Sequence, residues 1–165
     1  MAKTYPNSSF TDYDFSSEVI ENATNVAKNL DLTNSTFKKQ DASKFSKGGF
    51  FDVITAFDSI HDQAEPDKVL ANIRKSLKSN GIFLMQDIRA SSKLENNMNH
   101  SLAPYLYTVS CLHCMTVSLA QEGKGLGAMW GKELATQMLK ESGFSSAEVK
   151  ELPHVPINYY YLAKP

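Results

Sequence analysis

The sequence of 165 residues has few cysteines and no long apolar run. Cys111 and Cys114 are its only cysteines, too few for a disulfide scaffold. No stretch approaches the roughly 20 apolar residues of a transmembrane helix. The first residues contain no apolar segment of the signal-peptide type. We therefore expect a cytoplasmic protein that does not bind or span a membrane.

An excess of charge of one sign is also lacking. The chain has 17 Lys and Arg against 18 Asp and Glu, for a formal net charge of -1. Nucleic-acid affinity depends largely on clustered Lys and Arg, and the cationic runs here do not exceed two residues, as at Lys38-Lys39. We expect no nucleic-acid partner. The length and a hydrophobic content of 42% predict one globular domain over residues 1–165.

Strand-like and helix-like patterns alternate along the first half of the chain. Ser16 and Ser17 are candidate N-caps of a first helix, with an apolar face from Val19 to Leu30. Pro66 fits the first turn of a second helix, which Gly81 would end as a left-handed residue. The four predicted strands run over 10–13, 34–40, 51–57 and 82–85, and each leads to an acidic residue: Asp14, Asp41, Asp58 and Asp87.

This alternation predicts an α/β fold, a Rossmann-like, doubly wound and mostly parallel sheet. The continuous apolar runs of the third and fourth strands predict burial on both faces. In such sheets ligands bind beyond the carboxyl ends of the strands, where the four Asp residues lie.

The second half is less regular. Residues 102–120 are either one helix or a helix and a short strand, and a later helix is ended by Gly143. Two closing strands are predicted over 144–152 and 158–163. Because Pro153 and Pro156 favour an extended chain between them, we expect a longer connection than a tight turn.

From about residue 6 to residue 165, the order and spacing of these segments resemble a class I S-adenosylmethionine-dependent methyltransferase. Ile60-His61-Asp62 is most similar to small-molecule O-methyltransferases, where His-Asp-Trp is typical and where this chain has Gln63. The other matching segments are Tyr13-Asp14-Phe15-Ser16, Gln40-Asp41-Ala42, Phe51-Asp52-Val53-Ile54, Asn80-Gly81, Phe83-Leu84-Met85-Gln86-Asp87, Gly143-Phe144 and Glu148-Val149.

The resemblance implies S-adenosylmethionine as cofactor and a small-molecule methyl acceptor. It implies that the Asp14 carboxylate accepts hydrogen bonds from the ribose hydroxyls and that Phe15 packs on the adenine. Asp41 would accept from the adenine amino group, with the Ala42 backbone beside it. The methyl group would lie near two residues that end the third strand, Phe57 and Asp58.

His61 is the candidate catalytic base. Its ordinary pKa near 6.5 suits removal of a proton from a hydroxyl at neutral pH. Asp62 would orient the imidazole. We expect the ring to point into the cleft and to be at least partly exposed. The alternative is a histidine that caps the following helix or binds a backbone carbonyl.

Two further motifs are present. Cys111 and Cys114 resemble half of a zinc site, but no second pair exists, so we predict no metal and buried thiols in an apolar helix.

The loop Gly123–Gly127, with Glu148 downstream, imitates a dinucleotide fingerprint but has Trp130 where its last glycine belongs. We expect a flexible loop over the substrate side, and Met129 and Trp130 either line the substrate pocket or pack in the core.

The family's first strand and its glycine-rich loop are expected before Pro6, so the sequence predicts an N-terminally truncated domain. The neighbouring strands would then have unpaired edges, which a homo-oligomer or a partner segment supplying a strand could cover. We expect weak binding of S-adenosylmethionine by this chain alone. The predicted function is methyl transfer to a small molecule. The alternatives are a non-catalytic binding or structural module and, third, a nicotinamide-dependent oxidoreductase.

Overall fold

A computed structural model describes all of residues 1–165 and divides them into two compact units, residues 1–45 and residues 46–165. The strands form two sheets, a two-stranded sheet in the first unit and a four-stranded sheet in the second. The predicted α/β fold is confirmed, with the strands distributed over two sheets and not one.

The N-terminal unit has a β-α-β arrangement. Strand β1 (Phe10–Asp14) and strand β2 (Ser35–Lys39) pair in parallel, on either side of helix α1 (Ser17–Asn29) in the chain. The predicted cap is confirmed, because the Ser16 hydroxyl accepts the Val19 N–H at 3.3 Å. A short 3-10 helix, Ala42–Lys44, follows.

The apolar face predicted for α1 is largely exposed. Ala27 is buried, but Val19, Val26 and Leu30 have about half of their surface in solvent. The predicted apolar spacing is present, but two short strands and a 3-10 turn offer too little surface to cover this helix.

The C-terminal unit contains most of the protein's core. Strand β3 (Phe51–Phe57) pairs in parallel with β4 (Leu77–Ile88), and α2 (Pro66–Ser76) connects them. The sheet continues with β6 (Val155–Lys164) and ends with β5 (Ser146–Leu152), in the order β3-β4-β6-β5 with antiparallel pairing of β6.

Strand β4 is buried on one face and not on both. Phe83, Met85 and Asp87 are buried, whereas the residues that alternate with them are only partly covered. Phe83 stacks on Phe144 with ring centroids 5.7 Å apart. Strand β3 has no buried residue, and Val53 is 56% exposed. The prediction of two buried faces is wrong for both strands, and β3 is in addition an edge strand of its sheet.

Two predicted chain reversals differ from the structure. Helix α2 ends at Ser76, and Gly81 lies inside β4 without a left-handed backbone. A Cβ at Gly81 would lie 3.1 Å from the Phe51 carbonyl oxygen, so glycine permits the close approach of β3. The β5–β6 connection is a tight turn, since Leu152 pairs with Val155 and leaves only Pro153 and His154 between them.

The region 103–119 is entirely helical. Helix α3 (Ala103–Val109) passes through a π-helical turn, Ser110–Cys114, into α4 (Met115–Leu119). Helix α5 (Gly131–Glu141) ends before Gly143, whose φ of 92° is left-handed as predicted. None of the helices has both the length and the apolar character needed to cross a membrane.

Candidate active site

His61 lies in a short turn after the carboxyl end of β3. The turn is closed by the Gln63 N–H, which donates to the Ile60 carbonyl at 3.2 Å. The Gln63 side-chain amide also donates to the Ser59 carbonyl at 3.0 Å. Gln63 therefore stabilises the turn locally, at the position where the resembling enzymes have Trp.

The His61 ring is buried and pairs with a carboxylate. Its Nδ1 lies 2.8 Å from Oδ1 of Asp87, and Asp87 is fully buried. The Ile88 N–H donates to the same Asp87 oxygen at 2.8 Å, which fixes the carboxylate. Only 3% of His61 is exposed, so the prediction of a partly exposed ring is wrong. The alternative of a bond to a backbone carbonyl is not observed either.

Asp62 lies on the other side of the imidazole. Its Oδ1 is 3.2 Å from Nε2 of His61, is buried, and receives no hydrogen bond. Asp62 was predicted to orient the ring, whereas the hydrogen bond that fixes it comes from Asp87. The sequence placed Asp87 at a strand end, but nothing local in the sequence indicated its pairing with a residue 26 positions away.

Three carboxylates determine the charge state of His61. Burial alone would lower its pKa, but the hydrogen bond with Asp87 and the charges of Asp87, Asp62 and Asp58 raise it above the ordinary value. Burial and the Asp87 charge also raise the pKa of Asp58. Asp58 accepts hydrogen bonds from Gln86 at 2.8 Å and from Asn158 at 3.2 Å. These carboxylates therefore stabilise the imidazolium more than solvent stabilises that of an isolated histidine.

Cys114 ends the π-helical turn and completes the cluster. One ligand-type atom from each of His61, Asp62 and Cys114 lies within 4.8 Å of the other two. Burial and the neighbouring Asp62 raise the pKa of the Cys114 thiol to about 11, so it carries its proton at neutral pH. Cys111 is exposed, which contradicts the prediction of two buried thiols.

The glycine-rich loop is packed against this site. The Lys124 N–H donates to the Ala64 carbonyl, and the Gly125 N–H donates to the Ser118 hydroxyl, each at 3.0 Å. A Cβ on Gly123 would lie 2.4 Å from Ala64 Cα. The loop is thus a close-packed connection and not the flexible loop expected. It follows helix α4, so the strand required by a dinucleotide fingerprint is absent. Met129 and Trp130 are buried.

The residues predicted to bind the cofactor fall into both units. In the N-terminal unit, Asp14 and Asp41 lie at the same end of the parallel β1–β2 pair, and the Gln40 N–H donates to the Asp14 carbonyl at 2.8 Å. Phe15 is 62% exposed, and Ala42 opens the 3-10 helix. In the C-terminal unit, Phe57 ends β3 and is exposed, and Asp58 follows it, exposed as a residue although its carboxylate is partly desolvated.

Both N-terminal carboxylates have local partners. Asp14 Oδ1 accepts the Ser16 N–H at 2.7 Å. Asp41 caps the 3-10 helix by accepting from the N–H and the hydroxyl of Ser43, and the Ser43 hydroxyl is the main cause of its lowered pKa. Its other oxygen pairs with Lys44 at 3.2 Å. The structure places these side chains, while their predicted contacts with a cofactor stay predictions.

The fold is similar to solved methyltransferase structures. A protein of Nostoc punctiforme PCC 73102 assigned to the O-methyltransferases matches 99% of this chain with a TM-score of 0.75 and 18% identity, over 47% of its own length. An O-methyltransferase family protein from Burkholderia thailandensis matches 98% with a TM-score of 0.74 and 14% identity, over 45% of its length. The chain thus spans about half of these proteins.

A third match is the methyltransferase CalH, solved in complex with SAH. It covers 94% of this chain and 42% of its own, with 20% identity and a TM-score of 0.67. Identities this low establish the fold alone, and that fold is the Rossmann-like α/β fold of class I methyltransferases, as predicted. No curated protein matches the sequence significantly.

The remaining comparison matches the sequence with a profile of a protein family. The profile of a family described as a methyltransferase domain matches residues 1–143, which is most of the chain. The resemblance carried by His61 and by the strand-end carboxylates is thereby confirmed at the level of the family. The chain belongs to the methyltransferase-domain family.

Proposed function

We propose that this domain transfers a methyl group from S-adenosylmethionine to a hydroxyl oxygen of a small molecule. Family membership supports the reaction class. CalH and PigF, which share the fold, were solved with SAH, the demethylated form of that cofactor. The observation that carries the proposal is the buried pair of His61 and Asp87 beyond the carboxyl end of β3, with the two atoms 2.8 Å apart.

The N-terminal carboxylates fit such a cofactor. Asp14 uses one oxygen for the Ser16 N–H, which leaves the other for a ribose hydroxyl. The exposed ring of Phe15 follows directly and offers an apolar face to an adenine. Asp41 retains lone pairs beyond its contacts with Ser43 and Lys44, since a carboxylate has about four acceptor positions. When bound, the cofactor supplies an electrophilic methyl group on a sulfonium.

His61 would remove the proton from the acceptor. The acceptor hydroxyl replaces Asp62 beside Nε2, because Asp62 is the partly exposed member of the cluster. As the acceptor oxygen would bond to the methyl carbon, the methyl–sulfur bond would break to leave S-adenosylhomocysteine, and the hydroxyl proton would pass to Nε2 of His61. The Asp87 carboxylate accepts the Nδ1–H throughout and stabilises the imidazolium that forms. Phe57 and Asp58, at the end of β3, contribute the exposed surface next to this turn.

Methyl transfer from labelled S-adenosylmethionine to a panel of small phenols and alcohols tests the proposal. We expect His61→Gln to lower turnover by roughly 10²–10⁴-fold. His113→Gln changes an exposed histidine outside the cluster and is the matched control. Absence of transfer, together with absence of S-adenosylhomocysteine binding, would contradict the function. Transfer that is unchanged in His61→Gln would contradict the role of His61 alone.

The proposal also includes a strand partner for the open edge of β3. The outer edge of β3 has no strand partner in the four-stranded sheet, and Val53 and Phe57 are exposed on that strand. A strand from a partner segment or from a second copy would satisfy this edge. Cross-linking of a cysteine placed on β3 would identify the partner strand, and a monomer with an unprotected β3 would contradict the proposed partner.

The two thiols are free, which supports a cytoplasmic location.

A further inference from the structure

Three side chains of the kinds that bind transition metals meet in the C-terminal unit. A nitrogen of His61, a carboxylate oxygen of Asp62 and the sulfur of Cys114 lie within 4.8 Å of one another. His61 and Cys114 are buried, and Asp62 is partly covered. The set does not use the Cys111–Cys114 pair that the sequence pointed to, since Cys111 is exposed. It joins residues from a turn and a helix that are far apart in the chain.

With a neutral His61, the contact between His61 and Asp62 brings two hydrogen-bond acceptors together. Because Asp87 accepts from Nδ1 at 2.8 Å, neutral His61 has its proton on Nδ1 and a lone pair on Nε2. That lone pair faces Oδ1 of Asp62 at 3.2 Å, and Oδ1 is buried and receives no hydrogen bond. Two acceptors in this position repel each other unless a proton or a metal ion lies between them.

The surroundings are also those of a metal site. Metal-binding histidines commonly donate their second ring N–H to a carboxylate, which orients the ring and raises its basicity. Asp87 has this role here, is fully buried, and is held by the Ile88 N–H. Cys114 ends a π-helical turn, a rare distortion that is frequent at functional sites.

We propose that His61, Asp62 and Cys114 form a three-ligand site for a thiophilic divalent cation of the Zn²⁺ class, with the fourth position open to water. Nitrogen, oxygen and sulfur ligands suit Zn²⁺, whereas Mg²⁺ and Ca²⁺ prefer oxygen alone. Tetrahedral bonds of about 2.0–2.3 Å place ligand atoms roughly 3.3–3.8 Å apart. The longest separation, at most 4.8 Å, needs to close by about 1–1.5 Å. On binding, Cys114 releases its proton to solvent and its sulfur bonds to the metal.

The metal would coordinate Nε2 of His61, the atom that accepts the proton in the proposed function. A bound cation therefore inhibits methyl transfer. This consequence rests on the proposed function, whereas the binding of the metal does not.

Titration with Co²⁺ tests the site directly. The full chain is treated with a chelator, kept reduced, and titrated without cofactor. We expect one Co²⁺ per chain, with the intense visible bands of tetrahedral Co²⁺ and a thiolate-to-cobalt charge-transfer band, all lost on addition of Zn²⁺. Absence of these bands in the folded protein would overturn the proposal.

Paired variants assign the ligands. Cys114→Ser is expected to abolish the charge-transfer band and to weaken binding more than about 100-fold, while Cys111→Ser leaves both unchanged. His61→Gln weakens binding similarly, and His113→Gln does not. If circular dichroism shows that a variant at a buried position does not fold, Asp62→Asn, at a partly exposed position, provides the test instead. A band that survives Cys114→Ser and disappears in Cys111→Ser would overturn the assignment.

Methyl transfer separates the two proposals. If Zn²⁺ binds with the expected ligands and inhibits the wild-type domain, both stand. If Zn²⁺ binds and turnover is unchanged, the site stands and the inhibition through His61 is wrong. If no Zn²⁺ binds to an active domain, the metal site is wrong and the proposed function is unaffected.

Discussion

The two units of this chain have similar local patterns and very different interiors. Residues 1–45 contain one buried residue, Ala27, whereas residues 46–165 contain every other member of the core, including Leu70, Phe83 and Tyr161. Each unit has a helix with apolar residues at helical spacing and a parallel strand pair. Apolar spacing therefore indicates a helix, while burial depends on the number of elements available to cover its face.

The largest effect on stability is expected when one leucine in each unit is replaced by alanine and the two losses are compared. Leu70 is fully buried and Leu30 is 57% exposed. Leu70→Ala should destabilise the C-terminal unit by about 2–5 kcal/mol, because it leaves a cavity. Leu30→Ala should change stability by no more than about 0.5 kcal/mol. Urea unfolding followed by Trp130 fluorescence and by far-ultraviolet circular dichroism measures the two. A comparable loss for Leu30→Ala would mean that this face is covered in the folded protein.

A smaller effect, about 1.5–3 kcal/mol, is expected from the charged hydrogen bond of His61 and Asp87. Because the folded pKa of His61 is raised above its ordinary 6.5, its contribution is complete below about pH 6.5 and is lost as the pH rises through the folded pKa. His61→Gln should remove this part of the pH dependence, and His113→Gln should retain it. Chemical denaturation from pH 5 to pH 9 measures it. A wild-type stability that rises over this range, relative to His61→Gln, would contradict the raised pKa.

The smallest effect is expected at the cap of α1. Ser16→Ala removes the hydroxyl that accepts the Val19 N–H and should cost about 1 kcal/mol in the N-terminal unit. Ser17→Ala, inside the exposed first turn, is the control and should cost less. Hydrogen exchange of the α1 amides is the measurement, since it reports this unit separately. Equal protection in the two variants would show that packing, and not the cap, stabilises the helix.

Local signals in the sequence determined the order of the elements. Ser16, Pro66 and Gly143 mark helix ends through backbone groups a few residues away, and these predictions are confirmed. The strand-end positions of Asp14 and Asp41 also follow from local strand patterns. The family resemblance rests on the same segments, in the same order.

Tertiary structure decided which faces are buried and which side chains meet. Asp87 reaches His61 across 26 positions because β4 lies next to β3 in parallel, and Cys114 reaches Asp62 because the helical region packs on the turn. The Ser118 hydroxyl, which donates to the Gln63 carbonyl at 2.9 Å, is one contact that holds this packing. Such contacts depend on how strands and helices pack across long chain separations, and periodicity and capping signals act over only a few residues.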